Sequence, residues 1–281
     1  MSNNTTSLNR LFTKDSILSL VRYKHSKLYH SVVTQYVANV DHLSHKDVIA
    51  KIYHYLSKSY RNEYFFKNTL FNKLLLGRHS VETTTALSQV TIEKAKADLI
   101  MINGKAVVYE IKSPLDNFSR LESQIENYYK SFDHVCILCP EIYYEKLAEI
   151  YQSLPVGIYV LSTRNTIQFK KEPQMNRDAL NHHSFFKILR KGEYESILKQ
   201  YLGYLPITAP AFYYDACLTE FSKIPLDEAY SMFLKELKKR NCVQDKDLFD
   251  KIPSELKSIV YFSDFQRGQM EKILEFIDSK Y

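Results

Sequence analysis

Glu110 and Lys112 sit in VVYEIK, residues 107–112, a run whose apolar neighbours belong to a buried strand. Alternate strand residues share a face, so this strand carries two opposite charges side by side. Asp98 precedes them in KADLIMI, and Ile102-Asn103-Gly104-Lys105 reads as the turn between the two runs. A three-residue loop with Gly104 left-handed pairs Met101 with Lys105, Leu99 with Val107 and Asp98 with Val108. Residues 98, 108, 110 and 112 then lie on one face. A two-residue Asn103-Gly104 loop would pair Asp98 with Tyr109 and turn it away from Glu110.

Two carboxylates brought together in a buried place repel each other and lose hydration. A hard divalent cation resolves the conflict, because Mg²⁺ or Mn²⁺ takes oxygen ligands, commonly one or two carboxylates plus waters and substrate phosphate. Asp98 and Glu110 would be the carboxylates, and the Ile111 carbonyl a further oxygen. Lys112 can hold a water aimed at phosphorus or offset charge in the transition state. The competing reading of Glu110 and Lys112 is an ion-paired strand end.

With Asp98 entering one strand, Glu110-Ile111-Lys112 on the next, and helices before and after, the sequence resembles the PD-(D/E)XK nuclease superfamily over about residues 45–165. The nominal proline before the aspartate is Ala97 here. The resemblance implies a restriction-endonuclease-like core, a Mg²⁺ or Mn²⁺ cofactor, and catalytic roles for Asp98, Glu110 and Lys112. It also makes Glu63, in YRNEYFFKN, the counterpart of a first-helix glutamate. In the helix after the hairpin, Gln124-Ile125-Glu126-Asn127-Tyr128 matches a Q-x-x-x-Y of exonuclease-like branches. Arg120, Gln124 and Tyr128 form one stripe at i, i+4, i+8. Gln124 could then orient the attacking water or Lys112, Arg120 a phosphate, and Tyr128 a base or sugar. Lys67, one turn after Glu63, and Arg78 beside His79 are further candidate phosphate contacts.

The elements that must position these residues follow from changes of period. Residues 1–44 read as a basic helical segment. Ser44 and Asp47 open a helix as a capping box, and a second runs from about Asn62 to Gly77. From Thr83 the pattern becomes TTALSQVTI, ADLIMI and AVVYEIK as strands, RLESQIENYYKSF as a helix, HVCILCP as a strand, EIYYEKLAEIYQSL as a helix and VGIYVLS as a strand. TIQFKKE adds an edge. The class is α/β, a mixed sheet flanked by helices spanning 45–173, with a helical C-terminal subdomain at 174–281.

Composition bounds the rest. The chain has 281 residues, 45% hydrophobic and 25% charged, with formal charge +6; that is ordinary for a folded globular protein. Residues 1–60 hold eight Lys or Arg against three Asp, which suits either phosphate contacts or a solvated face. No signal-peptide pattern and no run of about 18 apolar residues occurs, so the expectation is a cytoplasmic protein with no membrane partner. Cys136 and Cys139 form C-x-x-C, but strand alternation sends them to opposite faces, which argues against a metal or redox pair.

The functional expectation is a nuclease hydrolysing phosphodiesters in nucleic acid, DNA ahead of RNA, to 5′-phosphate and 3′-hydroxyl ends. A phage-defence or mobile-element setting goes with the resemblance. The C-terminal helices are expected to serve substrate choice, a homodimer or a partner protein. The alternative is a catalytically silent nucleic-acid- or protein-binding module of the same fold, such as an inhibitor or defence-complex subunit.

Overall fold

The computed structural model describes residues 2–23, 26–77, 80–240, 243 and 245–281. Five helices come first: α1 (Ser2–Leu11), α2 (Lys14–Tyr23), α3 (Lys27–Tyr36), α4 (His45–Ser59) and α5 (Glu63–Leu70). The expected capping box starts α4, with the Asp47 amide donating to Ser44 Oγ and the Ser44 amide to the Asp47 carboxylate, both at 3.1 Å. Asn62 caps α5 by accepting from the Phe65 amide at 3.0 Å. The helix read from Asn62 to Gly77 changes pitch partway, continuing after Leu70 as a π-helical segment, Phe71–Leu76.

Six strands then form one sheet in chain order: β1 (Thr85–Ile92), β2 (Ala95–Asn103), β3 (Lys105–Ile111), β4 (His134–Pro140), β5 (Gly157–Leu161) and β6 (Ile167–Lys171). The first three are an antiparallel meander, β3, β4 and β5 run parallel, and β6 returns antiparallel at the edge. The parallel steps are made by α6 (Leu121–Tyr129) and α7 (Tyr144–Ile150), as right-handed crossover logic requires. The remaining helices are α8 (His182–Ile188), α9 (Lys191–Leu202), α10 (Tyr213–Phe221), α11 (Leu226–Lys238), α12 (Lys246–Lys251), α13 (Lys257–Phe262) and α14 (Arg267–Asp278).

Two apolar cores lie on the two faces of the sheet. Leu99, Met101, Tyr109, Cys136 and Leu138 face α1 to α5 and α12 to α14. Ile100, Ile102, Val108, Ile137 and Cys139 face α6 to α11. Cys136 and Cys139 therefore do point to opposite sides, both buried and unbridged.

The same division changes the domain organisation read from sequence. Residues 174–281 are not one separate subdomain: α8 to α11 cover one face, while α12 to α14 pack on the other beside the N-terminal helices. The Tyr261 hydroxyl accepts from the Ala86 amide at 3.0 Å, and Thr85 Oγ1 donates to the Lys238 carbonyl at 2.6 Å. Strand β1 is thus held from both sides by C-terminal residues. Among the described residues no helix is long and apolar enough to cross a membrane.

Candidate active site

The β2–β3 hairpin reverses at Gly104, which sits at φ +73°, a conformation that glycine adopts without steric cost. Its register differs from the expected one. Ile102 pairs with Ala106, Met101 with Val107 and Leu99 with Tyr109, rather than Met101 with Lys105 and Leu99 with Val107. The ladder continues to Asn103 opposite Lys105 and leaves Gly104 alone in the turn, in place of a three-residue loop, so each partner moves by two positions. A shift of two preserves the face, and the position of Asp98 falls opposite Glu110 rather than Val108.

Glu110 is 2% exposed and Lys112 8%. Lys112 Nζ donates to Glu110 Oε1 at 2.8 Å and to Gln124 Oε1 at 3.1 Å. The Tyr128 hydroxyl donates to Glu110 Oε2 at 2.5 Å and lies 3.0 Å from the Lys96 carbonyl. Strand β3 supplies the charge pair, and α6 supplies the amide and phenol that hold it. The α6 stripe forms because Gln124 and Tyr128 are one turn apart on the face that Ile125 and Leu121 press onto the sheet.

Asp98 sits where the meander ends. Its Oδ2 accepts from the Ile111 amide at 2.9 Å, replacing a ladder partner that β2 does not provide. Burial, and then the Glu110 carboxylate, push its pKa up to about 7, with the Ile111 hydrogen bond opposing. Glu63 and Lys67, one turn apart in α5, are near enough for their charges to act on it as well. Burial lowers the pKa of Lys67, while Glu63 and Asp98 act in the other direction. The hairpin, α5 and α6 thus bring Asp98, Glu110, Lys112, Gln124, Glu63 and Lys67 to one end of the sheet.

Four further candidates stand differently. Tyr128 is fully buried, so the contact with a base or sugar expected of it is not available; its hydroxyl is spent on Glu110. Burial first, then Glu110, raise its pKa, which keeps it a donor. Arg120 is exposed at the N-cap of α6, one turn before Gln124, without a capping hydrogen bond. Arg78 and His79 lie outside the described residues. Ile111 is buried and continues the β3–β4 pairing opposite Leu138.

Gln89 is the neighbour that the sequence pattern missed. Strand β1 pairs Ser88 with Leu99 and Val90 with Ala97, and between them Gln89 takes φ +58°. Its Nε2 lies 3.4 Å from Asp98 Oδ1, the long end of a hydrogen bond. Left-handed backbone at a non-glycine residue costs about 1–2 kcal/mol, and nothing in SQVT announces it. Gln89→Gly is expected to leave unfolding free energy within about 0.5 kcal/mol of the wild type, because relieved strain offsets added chain entropy. Gln89→Val, β-branched, should cost about 2 kcal/mol; urea denaturation of the two variants measures the difference.

Two carboxylates and a peptide carbonyl are an all-oxygen donor set of the kind that hard divalent cations take. Among the described residues there is no cluster of three or more His, Cys, Asp or Glu side chains that would hold a metal by themselves. Water and substrate oxygens would have to complete any coordination here.

The family described as Bacteriophage P4 protein cII matches residues 57–262, which includes α5, the whole sheet and α6. One curated relative, Protein cII of Enterobacteria phage P4, is 27% identical over 160 residues, covering 56% of this chain. The match spans 59% of that relative's own length. No solved structure matches the chain.

Proposed function

The chain belongs to the Bacteriophage P4 protein cII family, and for this member we propose divalent-cation-dependent hydrolysis of phosphodiester bonds in nucleic acid, DNA ahead of RNA. The observation that carries the reading is the buried Glu110–Lys112–Gln124 chain of hydrogen bonds with Asp98 raised beside it. The order of elements from α5 through β1, β2, β3 and α6 to β4 supports the likeness to a PD-(D/E)XK core.

Asp98, Glu110 and the Ile111 carbonyl would hold Mg²⁺ or Mn²⁺, which when bound supplies charge neutralisation and Lewis acidity at the phosphate. Lys112 spends two of its three N–H donors on Glu110 and Gln124. Its third donor is left for a phosphate oxygen or for the attacking water. Gln124 and Glu110 fix the ammonium from two sides, so its direction is set before substrate arrives, and Tyr128 fixes Glu110 in turn. Water attacks phosphorus in line, the bond to the 3′-oxygen breaks, and that oxygen leaves with a proton while the phosphate stays on the 5′ side. Lys67 and Arg120 flank the site as phosphate contacts.

The test incubates the purified chain with labelled single-stranded DNA, duplex DNA and RNA, with Mg²⁺, with Mn²⁺ and with chelator. Cleavage that needs the cation and disappears in Asp98→Ala and Lys112→Ala is the expected result. Cleavage that survives both substitutions would exclude this site. Cation-independent binding without cleavage would favour the silent binding module.

A further inference from the structure

We propose that a basic groove across α4, apart from the Glu110 and Lys112 cluster, binds the phosphodiester backbone of nucleic acid. The proposal concerns binding alone and is independent of the hydrolysis argued above. Two hollows, of about 660 and 550 Å³, adjoin at Ala50 and His54 of α4, residues that line both.

The cations of the groove come from three elements. Lys51, His54 and Lys58 recur at i, i+3 and i+7, on one stripe of α4. Lys73 belongs to the π-helical segment after α5, and Arg164 to the turn between β5 and β6. Lys51, Lys58, Lys73 and Arg164 are all exposed, and among the described residues none of them forms an ion pair. Glu255 is the one carboxylate among the described lining residues. An ordinary solvated face intersperses both signs; four cations against one acid make a field that draws in a polyanion.

The groove is also held in shape. Asn72 donates to the Asn68 and Ser254 carbonyls, each at 2.9 Å, and Asn68 donates to the Tyr53 hydroxyl at 2.9 Å. Arg61 donates to the Ser162 carbonyl at 2.8 Å, at the base of the turn that carries Arg164. Asn72 and Lys73 lie in π-helical winding, which is rare and recurs at functional sites. In the smaller hollow the half-buried Tyr36 and Tyr55 pack with ring centroids 4.6 Å apart. Aromatic rings beside lysines suit nucleic acid, whose bases offer a flat π face next to each phosphate. The carboxylates of an acidic polypeptide bring no such face.

The experiment follows a fluorescein-labelled DNA oligonucleotide by anisotropy, with the full chain in chelator so that no cation-dependent cleavage intervenes. Wild type is expected to bind, with an affinity that falls steeply with salt. Lys58→Gln, Lys73→Gln and Arg164→Gln combined should weaken binding at least about tenfold and lower the slope of log Kd against log salt by about 2 to 3. Lys94→Gln, Lys199→Gln and Lys235→Gln, exposed positions outside the groove, remove the same charge and should change binding by less than about twofold. Tyr55→Leu should weaken binding about threefold and leave the slope unchanged. No binding by wild type, or equal losses in the two triple variants, overturns the proposal. Displacement by poly-glutamate as readily as by unlabelled DNA overturns it in favour of an acidic protein partner.

Discussion

Replacing Asp98 with Asn is expected to remove cleavage and, in the same protein, to raise stability above neutral pH. Burial and the Glu110 carboxylate hold Asp98 at about 7, against about 3.9 for an unperturbed aspartate. Below about pH 4 the folded and unfolded chains both keep the proton, and the site carries no penalty. Between about pH 4 and 7 the unfolded chain ionises while the folded chain stays protonated, so stability falls as pH rises. Above the folded value both are ionised and the loss is complete.

The Asn side chain has no charge to bury and can still accept from the Ile111 amide, so the variant should be flat across that window. After discounting for partial exposure, the gain over wild type at about pH 8 is on the order of 2 kcal/mol, shrinking towards zero near pH 4. Cleavage should fall by about 10³-fold or more. Magnesium should raise the melting temperature of the wild type and leave the variant unmoved. Urea titrations at several pH values and a melting curve with and without the cation measure all three. A variant less stable than wild type at about pH 8, or one that keeps its cleavage, would remove Asp98 from the site.

The sequence made the charged face of the hairpin readable for a simple reason: strand alternation assigns a face by parity alone. Asp98, Glu110 and Lys112 keep their parity even though the register moved by two. Gln124 and Tyr128 were readable by their helical spacing, and the structure joins both to Glu110 or Lys112. What spacing cannot give is depth. Tyr128 shares the stripe of Gln124 yet is sealed from substrate, because the stripe passes from the half-buried Gln124 into the core within one turn.

Gln89 was invisible because its backbone strain is imposed by what surrounds β1, and its own sequence neighbours read as plain strand. Helices α12 and α13 have six residues each, too short to show two full turns of apolar period. Amphipathic patterns in α8, α9, α11 and α14 say that each of these helices buries a face. They do not say on which side of the sheet, and that is why a region with one kind of pattern divides between two cores.

Lys112→Ala is expected to destroy cleavage too, but with the opposite effect on stability. Glu110 is buried with one oxygen paired to the Lys112 ammonium at 2.8 Å and the other accepting from Tyr128 at 2.5 Å. Removing the ammonium leaves a carboxylate in a dry place with a phenol as its remaining side-chain partner, and breaking a buried pair in this way costs about 3–5 kcal/mol. Glu110→Gln in the same chain removes the stranded charge, so the double variant should recover a large part of that loss. The coupling between the two positions should exceed about 1 kcal/mol in a double-mutant cycle followed by urea denaturation. Activity should not recover with stability, because the donor aimed at phosphate is gone in both. A Lys112→Ala cost below about 1 kcal/mol would mean a solvated bridge of the ordinary surface kind, and neither a buried site nor a catalytic ammonium would then be needed to explain these two residues.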